Sequence, residues 1–188
     1  MTPLAIAAGL LLLVGALALS HSRFTADLAV IEQAWADVDA DLHRRHDLAP
    51  QFVEMIRGAE PRLGPELDEV VVARSHAIQL ARREPTRVAR REEAENDLTI
   101  AVRTIVNSLP DASAISATDQ SPLTVAIDAV ETLHARIAAD CHLYNLAVQG
   151  HNRRVSAAPT RVIAALFGIE RREYLTMIDP AGVPLSPP

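Results

Sequence analysis

The side chains of this sequence that are able to do chemistry are a few histidines and carboxylates at helical spacing. Glu131 and His134 form a Glu-x-x-His pair, which is the spacing with which di-iron bundles hold metal. Such a centre needs two of these pairs on different helices and further glutamates, and the sequence offers this one pair. His43 and His46 are three residues apart, so a helix places them on one face. We interpret them as exposed residues that flank an apolar stripe, and we predict neither a metal site nor a cofactor.

The single cysteine and two further ring side chains fall on a predicted apolar stripe. Cys141 shares this stripe with His134, His151 and Tyr144. A cysteine nucleophile needs a nearby base and a field that favours the thiolate, and the sequence by itself places neither at the Cys141 thiol. One cysteine also allows no internal disulfide and no zinc spacing. We predict that these side chains lie in a core with their polar atoms hydrogen-bonded, and that the protein has no catalytic residue.

Arginine runs at residues 82–83 and 90–91 have the charge of a phosphate-binding surface, but acidic residues follow them directly. The segment REEAE, residues 91–95, cancels most of this charge, and we interpret it as a solvated helix face. The sequence contains no Gly-rich phosphate loop and no GxSxG or HExxH motif. The net charge of −6 lacks the basic footprint of a general nucleic-acid binder, so we expect no nucleic-acid partner.

The segment PLAIAAGLLLLVGALALSHS contains no Asp, Glu, Lys or Arg. A membrane-spanning helix needs about 20 mostly apolar residues, so we predict a transmembrane anchor over residues 1–22. The box ALA at residues 16–18 also fits a cleaved signal peptide, but the start MTP lacks the basic region of such a peptide. Arg23, Arg44 and Arg45 follow the span, and positive residues favour the cytoplasmic side. We therefore expect the N-terminus outside and the domain in the cytoplasm.

Behind the anchor, apolar residues recur at alternating spacings of four and three, which is the seam of helices packed near +20°. The first seam is Phe24, Leu28, Ile31, Trp35, Val38, Leu42, Arg45, Ala49, Phe52 and Ile56. The second is Leu123, Ile127, Val130, His134, Ile137, Cys141, Tyr144, Val148, His151 and Val155. Between them, shorter stripes mark two more helices: Leu67, Val70, Val71, Ala77, Ile78 and Ala81, and then Leu98, Val102, Ile105 and Leu109.

These patterns predict an all-α protein in which the first helix continues from the transmembrane helix without a linker. The predicted helices are residues 22–57, 65–83, 86–109, 121–157 and 160–167, the last amphipathic and ended by Gly168. Two long seams and two shorter helices joined by brief loops favour an antiparallel up-and-down four-helix bundle over residues 23–175. The tail, residues 176–188, is rich in Pro and small residues, and we predict that it is disordered.

The stretch LHRRHDLAPQFVEMI combines charge and proline within the first seam. Pro50 lacks an N–H and crowds the carbonyl of His46, so we expect the helix to continue with a kink. Arg45 falls on the seam itself, and a buried arginine needs a partner. That partner would be Asp47, Glu54 or an acidic residue of a facing helix. We predict a structural role for this stretch, and we expect Arg45→Ala to destabilise the bundle.

Two stretches together resemble the LemA family. AWADVDADLHRRHDLAPQFVEMIRG is similar to the signature helix of that family, and YNLAVQGHNRRVSAAPTRVIAALFGIERREYL is similar to its closing motif. The matching residues are Trp35, Arg44, Arg45, Asp47, Leu48, Pro50, Val53, Glu54, Tyr144, Asn145, Asn152, Pro159, Leu166, Phe167, Gly168 and Tyr174. The resemblance covers nearly the whole chain, with a weaker match over residues 59–120. It implies a bacterial single-pass membrane protein with a helical-bundle domain, and it implies no defined reaction.

We therefore expect a non-enzymatic protein of the bacterial inner membrane. It would act as a scaffold or interaction module, through a protein partner or through self-association. One alternative is a metal- or ligand-binding bundle built on Glu131, His134 and His151. Another is an accessory subunit of a membrane protease or envelope complex.

Overall fold

The computed structural model describes residues 2–83, 88–109 and 122–177, and these residues contain α-helices and no β-strand. The helices are α1 (Thr2–Ala59), α2 (Gly64–Arg83), α3 (Val88–Ser108), α4 (Pro122–Ser156) and α5 (Thr160–Leu166), with a short 3-10 helix, Pro61–Leu63, before α2. The predicted all-α class is confirmed. The predicted loop at residues 110–121 and the tail from residue 178 onward lie outside the described residues.

Helix α1 runs without a break from the apolar start of the chain through the first seam, as predicted, and Pro50 lies inside it. Large apolar residues near its start are exposed to between 57% and 76% of their surface: Ile6, Leu10, Leu11, Leu12, Val14 and Leu19. By length and composition this part of α1 is able to cross a membrane, a property that it shares with signal sequences. One helix therefore carries both the apolar segment and a seam of buried residues.

The two predicted seams are buried. Along α1, every seam residue is buried except Leu28 and Trp35, which are half-buried. Along α4, every seam residue is buried except Leu123 and Val155, which are again half-buried. The rhythm predicts burial because residues three and four apart lie on one face of a helix. The burial of Arg45 among apolar residues follows from its place in this rhythm.

The chain divides into two compact units. Among the described residues, the smaller unit consists of residues 2–35 and 143–174, and the larger unit of residues 36–142 and 175–177. The larger unit has one apolar core, to which α1, α2, α3 and α4 all contribute. Its members are Phe52, Val53, Ile56, Leu63, Leu67, Val70, Leu98, Ala101, Val102, Ile105, Ile127 and Val130. In this unit α2 and α3 pack directly against each other.

The predicted stripe of α2 is correct except at one residue. Leu67, Val70 and Ala77 are buried, and Ile78 and Ala81 are half-buried. Val71 is 44% exposed, so its assignment to the core is wrong. A helix turns by about 100° per residue, and Val71 therefore leaves the face on which Val70 is buried.

In the smaller unit, α5 ends at Leu166, and the predicted terminating glycine, Gly168, lies in the turn that follows it. This glycine has a φ of 63°, in the left-handed region that glycine adopts without a steric cost. The Gly168 amide donates to the Ala165 carbonyl at 3.4 Å, and the Ile169 amide donates to the Ala164 carbonyl at 2.9 Å. These bonds satisfy carbonyls of the last turn. Residues 169–177, which follow, form neither helix nor strand.

Candidate functional site

A buried ion pair between Arg45 of α1 and Glu95 of α3 lies in the polar interior of the larger unit. Arg45 is 4% exposed and Glu95 is 1% exposed. Arg45 donates to the Glu95 carboxylate, to the Glu95 backbone carbonyl at 3.2 Å and to Thr99 Oγ1 at 2.7 Å. The acidic partner predicted for a buried Arg45 is therefore Glu95, on a facing helix. The other two candidates, Asp47 and Glu54, are exposed.

His46 binds the same carboxylate from the next position along α1. Its Nε2 lies 3.1 Å from Glu95 Oε1 and 3.2 Å from Oε2. Burial by itself raises the pKa of Glu95, but the hydrogen bond from His46 and the charge of Arg45 outweigh burial and hold that pKa below its usual value. Glu95 is therefore ionised inside the protein. The interpretation of His46 as an exposed residue is wrong, whereas His43 is exposed as predicted.

Pro50 explains how the same turn of α1 also contacts α2. Because Pro50 has no N–H, the carbonyl of His46, four residues earlier, receives no helical hydrogen bond from it. Arg74 of α2 donates to that carbonyl from its Nε at 2.6 Å. The side chain of His46 thus faces Glu95, and its backbone carbonyl binds Arg74. This turn of α1 is a junction between three helices.

Three of the four charged side chains of the segment REEAE at the start of α3 are buried, which contradicts the predicted solvated face, and Glu93 alone of the four is exposed. Arg91, Glu92 and Glu95 are between 1% and 8% exposed, and Arg91 donates to a carboxylate oxygen of Asp39. The alternating rhythm of the α3 stripe extends back through two of these charges. It is Arg91, Glu95, Leu98, Val102 and Ile105. Extending the stripe toward the N-terminus would have placed both charges on the buried face.

A second carboxylate in the larger unit is held between α1 and α4. Asp41, which is buried, accepts from Arg44 at 2.9 Å and from Arg136 of α4 at 3.2 Å. Burial raises the pKa of Asp140, and the neighbouring carboxylates of Asp41 and Asp37 raise it further. The positive charge of Arg136 offsets part of this effect on Asp140.

His134 and Cys141 lie buried on α4. Burial and the positive charge of Arg45 lower the pKa of His134 to about 4, so the imidazole is neutral near pH 7. Its Nε2 is buried and has no hydrogen-bond partner in the part of the chain that the structure describes. Burial, together with the carboxylates of Glu92 and Asp140, raises the pKa of Cys141 to about 12. A protonated thiol is a poor nucleophile.

The segment 175–177 is attached to α3 in the larger unit. The backbone amide of Thr176 donates to a carboxylate oxygen of Glu92. Met177 is buried, and its Sδ lies 3.4 Å from the Sγ of Cys141. The predicted disordered tail is therefore wrong at Thr176 and Met177, which belong to the packed part of the chain.

In the smaller unit, side chains of α4 bind the backbone of the segment that follows α5. Asn152 donates to the carbonyl of Arg172 and accepts from the amide of the same residue, both at 2.8 Å. His151 Nε2 donates to the carbonyl of Glu170 at 3.0 Å. The His151 ring also packs edge-on against Phe24, with centroids 6.1 Å apart. These side chains hold an irregular segment that has no backbone ladder of its own.

The signature residues differ in burial. Buried are Arg45, Tyr144, Asn145 and Asn152, and Trp35 is half-buried. Exposed are Arg44, Asp47, Pro50, Glu54, Pro159, Phe167 and Gly168. The Trp35 and Tyr144 rings lie 6.1 Å apart, and the peptide bond before Pro159 is cis. The signature thus contains core contacts of both units together with residues on their surface.

The residues considered for a metal centre differ in their surroundings. Glu131 is exposed, whereas His134 is buried, although they are three residues apart. Within residues 2–83, 88–109 and 122–177, no group of three or more His, Cys, Asp or Glu side chains is placed to hold a metal ion.

The chain was compared with curated proteins and with models of known protein families. No curated protein matches the chain. The model of the LemA family matches residues 34–184. This range begins after the apolar start of α1, and it includes both the Arg45–Glu95 ion pair and the segment held by Asn152. The match covers most of the 188 residues, and the chain belongs to the LemA family.

Proposed function

We propose that this protein is a membrane-anchored, non-enzymatic helical-bundle protein that acts as a scaffold or interaction module at the bacterial inner membrane. The continuity of α1 carries the proposal. Its first part exposes a run of apolar side chains, with Leu12 76% exposed, and its later part is lined by buried seam residues. Exposed apolar surface of this extent needs a nonpolar environment. A helix that leaves the membrane and enters a folded domain is suited to holding that domain at the membrane surface.

The state of the buried polar groups favours a structural role over a catalytic one. The Glu95 carboxylate is bound by Arg45 and by His46, and all three side chains are buried away from solvent. A neutral, buried His134 and a protonated, buried Cys141 are poor candidates for a base and a nucleophile.

The reactivity of Cys141 tests the non-enzymatic proposal. A pKa near 12 instead of the ordinary value of 9.0 leaves about a thousandfold less thiolate at neutral pH. We expect Cys141 in the folded, detergent-purified protein to react with an aromatic disulfide reagent far more slowly than a cysteine introduced by Ser75→Cys at an exposed position. Equal rates at the two positions would identify Cys141 as an accessible, activated thiol and would overturn the proposal.

We further propose that α1 to α4 form an antiparallel up-and-down four-helix bundle over residues 23–175, with α5 appended. The contribution of all four helices to one core in the larger unit supports this arrangement. A bifunctional thiol reagent tests the pairing of α2 with α3. We expect Asp68→Cys to crosslink with Thr104→Cys, near the end of α3, and not with Glu93→Cys, near its start. The reverse result would contradict antiparallel packing.

Membrane attachment and orientation are tested separately. We propose a single span near residues 1–22 with the N-terminus outside and the domain in the cytoplasm, because Arg23 and the Arg44–Arg45 pair follow the span. The intact mass of the membrane-extracted protein distinguishes an uncleaved anchor from a cleaved signal peptide. A reporter fused after Pro188 that works only outside the cytoplasm would reverse the orientation.

A partner, either another protein or a second copy of this chain, is the remaining part of the proposal. Crosslinking in cells followed by mass spectrometry identifies it, and reproducible recovery of a protease or envelope complex would favour the accessory-subunit alternative. Absence of any crosslinked species, including a dimer, would contradict the interaction role.

One observation favours the metal- or ligand-binding alternative, because His134 Nε2 is buried without a partner in the described part of the chain. Elemental analysis of the purified protein tests this alternative. Stoichiometric iron, manganese or zinc that is lost in His134→Leu would replace the scaffold proposal.

A further inference from the structure

Helix α5 exposes large apolar side chains although it belongs to a folded unit. Val162 and Leu166 are 73% and 69% exposed, and their spacing of four places them on one face of the helix. Phe167, which follows directly, is 46% exposed. On the opposite side, Ala164 is buried within the protein. The helix therefore has one face for the protein interior and a second, apolar face on which Val162 and Leu166 are largely exposed.

The position of this face is fixed by a contact with α1. The ring of Phe167 packs edge-on against the ring of His21, with centroids 4.9 Å apart. His21 follows Leu19, the last of the exposed large apolar residues at the start of α1, by two residues. Two residues of helix rise about 3 Å. The exposed face of α5 is thus at the level at which the apolar segment of α1 ends.

The unit that contains this face has a net positive charge. Residues 2–35 and 143–174 contain six arginines against four carboxylates. The arginines are Arg23, Arg153, Arg154, Arg161, Arg171 and Arg172. The carboxylates are Asp27, Glu32, Glu170 and Glu173. The whole chain has a net charge of −6, so positive charge is concentrated in this unit. Arg161, in the first turn of α5, and Arg171, which follows α5, are both exposed.

We propose that α5 and Phe167 lie in the surface of the same membrane that α1 crosses, with Val162, Leu166 and Phe167 at the boundary between headgroups and acyl chains. The exposed arginines in and after α5, Arg161 and Arg171, face anionic lipid phosphates. A short helix with apolar residues on one side and arginine beside it has the composition of an interfacial segment, and juxtamembrane arginines are attracted to anionic lipids. This inference rests on the proposed membrane anchor. It adds a second contact with the bilayer, which limits the tilt of the domain.

Depth-dependent fluorescence quenching tests the contact in the full-length protein. In a Cys141→Ala background, one thiol is introduced at a time by Leu11→Cys, Val162→Cys or Val72→Cys and labelled with a polarity-sensitive fluorophore. Val72 is a matched control because it is also exposed on a helix, at 69%, but belongs to the larger unit. Each protein is placed in nanodiscs of anionic and zwitterionic phospholipid. The lipids carry quenchers either near the headgroup or near the end of the acyl chain.

We expect the headgroup quencher to reduce the emission of the label at residue 162. We expect the acyl-chain quencher to reduce the emission of the label at residue 11. Neither quencher should affect the label at residue 72. The quenching at residue 162 should weaken when anionic lipid is replaced by zwitterionic lipid and when Arg161→Gln is added. Quenching at residue 11 with none at residue 162 would overturn the inference and leave the anchor intact. No quenching at residue 11 would overturn the anchor itself. Emission at residue 162 that depends on the number of protein copies per nanodisc would assign the face to self-association.

Discussion

The guanidinium of Arg45 and the carboxylate of Glu95 form an ion pair that joins α1 to α3 inside the protein, and His46 binds the same carboxylate. An unpaired charge in this position would be costly, because little water reaches it. A shift of one helix along the other by a turn, about 5.4 Å, would separate the pair. We infer that the pair specifies the register in which α1 and α3 pack.

Loss of one member of the ion pair should destabilise the fold. We expect Arg45→Ala to lower the free energy of unfolding by roughly 3 kcal/mol, because the Glu95 carboxylate then stays buried without its guanidinium partner and keeps only its contact with the His46 ring. Arg44→Ala is the matched control, since Arg44 is exposed and its partner Asp41 retains Arg136. Arg44→Ala should lower the free energy of unfolding by less than about 1 kcal/mol. Denaturant unfolding followed by circular dichroism compares the two, and equal stabilities would show that Arg45 is not in a buried pair.

The bond from Arg74 to the His46 carbonyl should depend on Pro50. We expect Arg74→Ala to cost about 1 to 2 kcal/mol, because the carbonyl that Pro50 leaves without a helical donor loses its replacement. In a Pro50→Ala background the alanine supplies the missing N–H. Arg74→Ala should then cost clearly less. A double-mutant cycle measures this coupling, and additive effects of the two substitutions would show that Arg74 does not compensate for the proline.

Stability should rise with pH in the range where His134 titrates. The pKa of this histidine is about 4 in the folded protein, whereas the ordinary value for a histidine is 6.5. Between these values the unfolded chain binds the proton and the folded protein does not, so the free energy of unfolding increases with pH. The contribution is fully present above pH 6.5 and is lost as the pH falls toward 4. A shift of this size corresponds to at most roughly 3 kcal/mol.

Unfolding midpoints measured across this range test the assignment to His134. We expect His134→Leu to flatten the dependence, whereas His43→Gln, at an exposed position, should leave it unchanged. Glu95 acts in a different window, because its lowered pKa removes stability only as the pH falls below the usual carboxylate value of 4.5. An unchanged slope in His134→Leu would contradict the low pKa of this residue.

Asn152 should control the segment that follows α5. Its two hydrogen bonds to Arg172 hold backbone that has no regular structure. We expect Asn152→Ala to cost about 1 to 2 kcal/mol and to speed tryptic cleavage after Arg172 in the folded protein. Asn107→Ala, at an exposed position of α3, is the control and should leave the cleavage rate unchanged. Equal cleavage in both variants would mean that other contacts hold the segment.

The sequence predicted the helices and their buried faces well, because both follow from local periodicity. The seam residues of α1 and α4 could be found from spacings of four and three alone, and so could the need of Arg45 for an acidic partner. Which acid it is depends on how two helices are placed against each other. That placement is a property of tertiary packing, and Glu95 is 50 residues away in the chain.

Two errors have a common physical cause. Composition alone predicts a solvated start of α3, because it is highly charged, and disorder at residues 176–177, because they belong to a tail rich in Pro and small residues. Yet Glu92 accepts the amide of Thr176, so each satisfies the other. A polar group is buried when a partner is available, and composition contains no information about distant partners. The stripe through Arg91 and Glu95 was the one local signal for the buried charges.

The unbroken helix from the apolar segment through the seam couples rotation as well as position. A helix turns by about 100° and rises about 1.5 Å for each residue. Phe167 contacts α1 at His21, so the side of α1 on which Phe167 lies is fixed relative to the directions of the apolar side chains of the span. One residue inserted before His21 would swing α5 by about 100° around the helix axis, while seven would restore nearly the original direction about 10 Å farther along. Rotation of the span about its own axis would therefore move Phe167 and α5 around the same axis.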